Sequence, residues 1–123
     1  MKVVKAVRGA VKLDEDSRES AEQWILQMMK ELVGRNSIGE REIVSILFSQ
    51  TKDIKRINPA SILRLMGFAG TPLFCTQEPE VEGSMERVVR VMITFYGRKK
   101  KMITPVYLNG ADSLRKDLFV KER

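Results

Sequence analysis

The first third of the chain changes from the hydrophobic spacing of a strand to that of a helix. Residues 2–13 alternate between apolar and polar positions, which predicts a strand. From residue 21 to residue 33 the apolar positions recur every three or four residues, which predicts an amphipathic helix. Asp16 or Ser17 is suited to cap its first turn, and Gly34 is suited to end it. The chain therefore opens with a strand and a long helix.

The middle of the chain carries two more strand-like runs, separated by a short helix. Residues 43–49 are apolar at nearly every position, which predicts a central strand covered on both faces. Asn58 followed by Pro59 is a helix start, with the asparagine as cap and the proline at the first helical position. It predicts a short helix over residues 60–66, and residues 73–76 predict a third strand.

The last third predicts two strands, 87–96 and 103–108, a helical turn at 111–118, and a basic tail that we expect to be frayed. The order of elements indicates an α+β fold with a mixed five-stranded sheet, one long helix and one short helix. At this length we expect a single domain over residues 1–123. Two helices can cover only one face of such a sheet. We therefore expect the other face to be buried by association between copies.

Composition excludes several kinds of active site. The chain has no histidine and one cysteine, Cys75. Imidazole acid–base catalysis, histidine triads and zinc sites of histidine or thiolate ligands are therefore excluded within one chain. The lone cysteine indicates a reducing compartment, and no apolar run reaches membrane-spanning length. We expect a cytoplasmic protein without a membrane segment, working with carboxylates, cations, hydroxyls and backbone dipoles.

The net charge of +6 favours an anionic partner. The densest basic run, residues 98–101, lies between two predicted strands and has no interleaved aromatic residues. A solvated loop explains such a run better than a nucleic-acid patch does. We therefore expect a small anion as the partner, and no nucleic acid.

Two charged residues stand out against their apolar surroundings. Glu78 lies at the end of the third predicted strand, and Arg90 interrupts the fourth between Val88 and Met92. A buried guanidinium without an anionic partner is very costly, so Arg90 needs either Glu78 or a bound ligand. We expect these two charges to form the centre of an active site, held apart with the ligand between them.

An arginine also interrupts the first predicted strand. Arg8 is followed by Gly9, and a glycine inside a strand favours a bulge or a close approach of another backbone. Taken alone, Arg8 is better explained as a charge on a solvent-facing strand than as part of a site.

Five segments together resemble one enzyme family. They are Val7-Arg8-Gly9-Ala10, Cys75-Thr76-Gln77-Glu78, Arg90-Val91-Met92, Val106-Tyr107-Leu108 and Leu114-Arg115-Lys116-Asp117-Leu118. In this order and spacing, and with the short helix that carries Arg64, they are similar to the monofunctional chorismate mutases of the α/β homotrimeric (AroH) class. The resemblance covers essentially the whole chain.

This resemblance implies a homotrimer with a barrel-like core of sheets and active sites in the clefts between subunits. The implied reaction is the Claisen rearrangement of chorismate to prephenate, a step towards phenylalanine and tyrosine, without metal, cofactor or covalent intermediate. Chorismate is a dianion, which suits a basic chain. A pericyclic rearrangement moves no proton, so the missing histidine is no handicap.

The resemblance also assigns roles to single residues. It implies that Arg90 lies beside the ether oxygen of chorismate, while Glu78 faces the ring and its hydroxyl group, with Cys75 next to that hydroxyl. It implies that the tail closes over the site and that Arg64 comes from the neighbouring subunit to the ring carboxylate. The other implied substrate contacts are Arg8 and Tyr107 at the side-chain carboxylate, Phe74, Thr76 and Gln77 along the pocket, and Leu114 and Arg115 in the tail.

Two positions at the expected pocket mouth depart from the family pattern. Asn58 stands where an aromatic residue is common, and Ser61 where a lysine is common. One alternative function is a non-catalytic trimer that binds a small carboxylate as a regulator. Glu78 argues against it, since a carboxylate penalises simple binding of a dianion but stabilises a developing positive charge. A second alternative is a nucleic-acid module that uses residues 98–101.

Overall fold

A computed structural model describes residues 1–118, which fold into one mixed sheet with two α-helices on one face. The basic tail, which we expected to be frayed, lies outside these residues. The elements, in chain order, are β1 (Lys2–Lys12), α1 (Arg18–Arg35), a 3₁₀ turn (Glu40–Glu42), β2 (Ile43–Gln50), α2 (Pro59–Leu65), β3 (Leu73–Gln77), β4 (Val88–Arg98), β5 (Val106–Leu108) and a kinked C-terminal 3₁₀ segment (Ala111–Leu118).

The sheet has five strands in the order β3-β2-β4-β1-β5. The inner strands β2, β4 and β1 pair antiparallel, and the edge strands β3 and β5 each pair parallel with their neighbour. This confirms the predicted α+β class with a mixed five-stranded sheet. Because β4 is the middle strand of the five, Arg90 lies on the central strand, near the end where β4 begins.

The covered face of the sheet packs against α1 and α2. Its core is made of the residues that alternate inwards, such as Val7 and Val11 of β1, with Met28 and Leu32 of α1. A β-carbon at Gly9 would lie 2.9 Å from Leu32 Cδ1 and 3.0 Å from the backbone oxygen of Val106. The glycine predicted to allow a close approach therefore does so, with α1 on one side and β5 on the other.

The opposite face, here called the open face, has no helix over most of its area in residues 1–118. The expectation that β2 is covered on both faces is wrong for the single chain, because Val44 and Leu47 remain 41% and 37% exposed. At one end of the open face, Ala111 of the C-terminal 3₁₀ segment packs with Ala10 and Val88. The rest carries exposed apolar side chains, namely Val4, Val44, Leu47, Phe74, Met92 and Tyr96.

The first turn of α1 is capped by one of the two predicted residues, whereas its last turn runs beyond the predicted end. Ser17 is its N-cap and accepts a hydrogen bond from the backbone of Ser20, whereas the carboxylate of Asp16 accepts from the backbone of the loop at residues 55–56. The helix also continues through Gly34 to Arg35, so Gly34 does not end it. A single helical glycine costs only about 1 kcal/mol relative to alanine, which the packing of α1 offsets.

The last strand is shorter than predicted. Residues 103–108 were expected to be extended and paired, but β5 begins at Val106. The backbone of Thr104 instead bonds to the side chain of Asn36, with its N–H donating at 2.7 Å and its carbonyl accepting at 2.9 Å. A buried side chain has therefore replaced a strand as the partner of this backbone. Within residues 1–118, no helix is long and apolar enough to cross a membrane.

Candidate active site

The charges of Glu78 and Arg90 are in contact on the open face. Glu78 follows the end of β3, where its backbone N–H donates to the Gln50 carbonyl at 2.8 Å. Its side chain reaches over β2 to β4. There one carboxylate oxygen, Oε1, forms an ion pair with Nε of Arg90, and the other, Oε2, accepts a hydrogen bond from the Ser49 hydroxyl.

This contact confirms that Glu78 is an anionic partner of Arg90, but the two charges are not held apart as expected. Nε of Arg90 is a buried atom without a hydrogen-bond partner in residues 1–118, so its contact with Glu78 is an ion pair and lacks the direction of a hydrogen bond. The Arg90 side chain is 41% exposed and that of Glu78 is 20% exposed. A ligand that binds between them must first separate them.

The strand register brings several predicted site residues to this face. Arg90 lies opposite Ser49 of β2 and Ala10 of β1, and Ala10 lies opposite Tyr107 of β5. Because side chains alternate along a strand, all of these point to the same side. By the same alternation Arg8, Thr76 and Phe74 join them, and Phe74 is 66% exposed. The open face thus groups Arg8, Phe74, Thr76, Arg90 and Tyr107.

Cys75 and Gln77 alternate to the other side of β3. The Cys75 thiol lies 3.1 Å from Oδ1 of Asn58 and donates to it, and the same oxygen caps α2 by accepting from the Ala60 N–H at 2.9 Å. Burial raises the pKa of the Cys75 thiol, although a backbone hydrogen bond and the charge of Arg64 act against that shift. Cys75 and Gln77 line a cleft of about 280 Å³ that Arg90 does not line. Within one chain, both side chains are therefore on the opposite side from the charge pair.

Arg64 is also not brought to the charge pair. It lies near the end of α2, which packs on the covered side against α1 and β3. Arg90 points to the open face. Ser61 is exposed on the same short helix. If Arg64 contributes to a site at Arg90, that site must include a second copy of the chain.

The C-terminal 3₁₀ segment lies beside Tyr107 at the edge of the open face. Leu114 packs against the cluster of Ala10 and Val88. Arg115 binds Asp117 through two hydrogen bonds, of 3.0 and 2.9 Å, and also contacts Tyr107. The Asp117 carboxylate is the main cause of the raised pKa of Arg115, and the guanidinium in turn lowers the pKa of Asp117. A tail that folds over the site would start from this position.

A cavity of about 400 Å³ opens beside Glu78, but its electrostatics do not suit an anion. Its lining includes one lysine and five acidic residues, Asp53, Glu78, Glu80, Glu82 and Glu86. A dianion would be repelled there, whereas the open face offers Arg8 and Arg90. Within residues 1–118, no group of three or more His, Cys, Asp or Glu side chains is arranged to hold a metal ion.

Sequence reasoning missed Ser49. It was placed in the second strand, but nothing marked it as part of the site. Its signal is weak: it is a polar residue near the end of an otherwise apolar strand. Only the register, which sets Ser49 opposite both Thr76 and Arg90, shows that its hydroxyl lies under the path from Glu78 to Arg90.

Known proteins resemble this chain over nearly its full length. The profile of the family "Chorismate mutase type I" matches residues 4–118. Curated relatives include "Chorismate mutase AroH" of Bacillus subtilis (strain 168) and of Thermus thermophilus. Each is 30% identical over 118 residues, which cover 94% of this chain and 93% or 97% of the relative. A solved chorismate mutase from Clostridium thermocellum superposes with a TM-score of 0.82 at 35% identity, over 89% of this chain and 98% of the other.

Proposed function

Because this chain belongs to the chorismate mutase type I family and isomerises chorismate to prephenate, we propose that Arg90 and Glu78 are its catalytic pair. The observation that carries the proposal is their contact on the open face, at the central strand of the sheet, where Arg8 and Tyr107 also lie on the same face.

The roles follow from how charge develops in the rearrangement. As the C–O bond of chorismate breaks, the ether oxygen becomes negative and the ring becomes correspondingly positive. A fixed guanidinium at the oxygen and a fixed carboxylate at the ring lower the free energy of that state more than that of the substrate. Arg90 is suited to the first role because it is permanently charged and presents several donors in one plane. Glu78 is suited to the second.

The ion pair is only partly exposed, since Nε of Arg90 is buried and the Glu78 side chain is 20% exposed. Opening it therefore requires the substrate to supply new partners for both charges, because an unpaired charge on this face is costly. Chorismate then replaces the contact with its own groups, with the ether oxygen next to Arg90 and the ring hydroxyl next to Glu78. The other cations, Arg8 and Arg115, together with Tyr107, would hold the side-chain carboxylate and close the site.

We propose that the active assembly is a homotrimer with its sites between subunits. Two features support it. The open face exposes apolar side chains that a second copy would bury, and patches of this kind mark interfaces. Arg64 lies on the covered side of its own chain, so it could reach the ring carboxylate only in a neighbouring subunit's site. A cleft between copies would also enclose the charge pair on the open face in a concave pocket.

Two further parts of the proposal rest on the same chemistry. The reaction transfers no proton and needs no metal or cofactor, which agrees with a chain that has no histidine. Prephenate formation is a step towards phenylalanine and tyrosine, and we place the enzyme in the cytoplasm, where its lone cysteine stays reduced. The comparisons give no support to a non-catalytic carboxylate-binding regulator.

The test is the loss of chorismate absorbance after addition of purified wild-type protein, Arg90→Ala or Glu78→Gln, without metal or cofactor. We expect Arg90→Ala to lower kcat by at least about 10²–10³, since removal of one preorganised donor has that effect. Glu80→Gln is the matched control for Glu78→Gln, because Glu80 lies two residues further along the chain, is exposed and pairs with Lys52 instead of Arg90. Wild-type turnover by Arg90→Ala would disprove the role of Arg90.

A further inference from the structure

Ser49 has the geometry of a residue that acts through Glu78. Its hydroxyl donates to Oε2 of the Glu78 carboxylate, while Oε1 faces Arg90. Each carboxylate oxygen therefore has its own partner. The Ser49 contact is a hydrogen bond, whereas the contact of Arg90 Nε is an ion pair only.

The strand register fixes Ser49 in this position. Ser49 pairs with Arg90 on one side and with Thr76 on the other, so it lies on the direct path between β3 and β4. The backbone of Glu78 is held at Gln50, the residue after Ser49, by a hydrogen bond of 2.8 Å. The main chain of Glu78 and one of its carboxylate oxygens are thus both attached to β2.

We propose that Ser49 is a positioning residue, which holds the Glu78 carboxylate in place when Arg90 leaves it to bind the substrate oxygen. This inference rests on the proposed catalytic pair. Without Ser49, opening of the Glu78–Arg90 contact would leave the carboxylate free to rotate about its side-chain bonds. With Ser49, Oε1 is released towards the substrate ring while Oε2 stays bonded. A preorganised charge stabilises a transition state without reorganising as the reaction occurs.

The first test compares Ser49→Ala, Ser49→Thr and wild-type protein in chorismate turnover. A hydrogen bond to a charged group is strong enough that its loss should lower kcat by about ten- to a hundredfold, with KM little changed. Ser49→Thr keeps the hydroxyl and should recover most of the activity. Ser45→Ala is the control, since Ser45 lies on the same strand and face but pairs with Thr94. It should leave kcat unchanged.

The second test asks whether Ser49 acts through Glu78. In a Glu78→Ala background, Ser49→Ala should cause no further loss of kcat, because its partner is already absent. An equal loss in both backgrounds would overturn the inference, as would wild-type kcat for Ser49→Ala with Glu78→Ala impaired. If Glu78→Ala itself turns over chorismate at the wild-type rate, the proposed catalytic pair fails instead. Thermal unfolding of every variant separates these outcomes from misfolding.

Discussion

Glu78 and Arg90 form an ion pair that crosses β2, from the end of β3 to the beginning of β4. In this arrangement each charge partly neutralises the other, so neither is left uncompensated on a largely apolar face. In the proposed mechanism the transition state, with its negative oxygen and electron-poor ring, replaces each partner with a group of the same sign.

The rate of turnover should depend little on pH. The rearrangement moves no proton, and the chain has no histidine to titrate near neutrality. We expect kcat to be nearly constant from about pH 6 to 9. The measurement is the initial rate of chorismate loss at saturating substrate across buffers of equal ionic strength. A bell-shaped profile with a limb near pH 7 would show that an acid–base step controls the rate.

Introducing a charge on the open face should block assembly. Leu47 lies between Phe74 and Met92 in neighbouring strands, and all three side chains are exposed in the single chain. If this face is buried between copies, Leu47→Glu would place an unpaired charge in the interface, at a cost of several kcal/mol. We expect sedimentation velocity to give three times the chain mass for wild-type protein and a smaller mass, with little activity, for the variant.

The matched control for assembly is Met102→Glu. Met102 is 85% exposed and lies in the loop between β4 and β5, where it lines a cleft with Lys5 and Phe95 of the covered face. The Met102→Glu variant should keep the sedimenting mass and the chorismate turnover of wild-type protein. If Leu47→Glu sediments and turns over like wild-type protein, the open face is not the interface.

The sequence predicted the elements and the need of Arg90 for an anionic partner, because both follow from local patterns. The same period-two alternation also shows that Cys75 and Thr76 cannot point to the same side of β3, although the family resemblance placed both in the pocket. The contact of Ser49 with Glu78 could not be predicted, because it depends on the register of β2 with its neighbours. The shortening of β5 could not be predicted either, because the Asn36 side chain that binds Thr104 is 68 residues away along the chain.

Asp14 should make stability depend on pH in the acid range. Its carboxylate accepts hydrogen bonds from Nε1 of Trp24 and Nδ2 of Asn109, both at 2.9 Å, and these lower its pKa in the folded chain. The stabilisation is complete above the unfolded-state pKa, which is about 3.9, and is lost as the pH falls through the lower folded-state pKa. The free energy of unfolding of wild-type protein should therefore exceed that of Asp14→Asn at pH 6, and the difference should shrink below about pH 4.

Urea unfolding followed by circular dichroism at a series of pH values measures this difference. Protein concentration must be the same throughout, because unfolding of an oligomer depends on it. Asp112→Asn is the control, since it removes an exposed carboxylate from the C-terminal 3₁₀ segment. A difference between wild-type protein and Asp14→Asn that stays constant from pH 6 to 2 would contradict the assignment.

Gly9→Ala should destabilise the protein although it adds a single methyl group. That methyl would lie 2.9 Å from Leu32 Cδ1, 3.0 Å from the Val106 backbone oxygen and 3.4 Å from Met28 Sδ. Both side chains are completely buried, so they have little room to move. Overpacking of this kind costs about 1–3 kcal/mol, which exceeds the gain of roughly 0.4–1 kcal/mol from a stiffer unfolded chain. We expect Gly9→Ala to have a lower urea midpoint than wild-type protein. Any shift of β1 around residue 9 would also move Arg8, the preceding residue.

Gly70→Ala provides the comparison, because no atom lies within 4 Å of a β-carbon built there. It should change the free energy of unfolding by at most about 0.5 kcal/mol. If Gly9→Ala matched Gly70→Ala in stability, α1 and β5 would have to move away from residue 9 without a cost in free energy. The close packing of α1 on β1 would then not be what holds Arg8 in place on the open face. A rise in KM for chorismate with Gly9→Ala but not with Gly70→Ala would instead link that packing to the site.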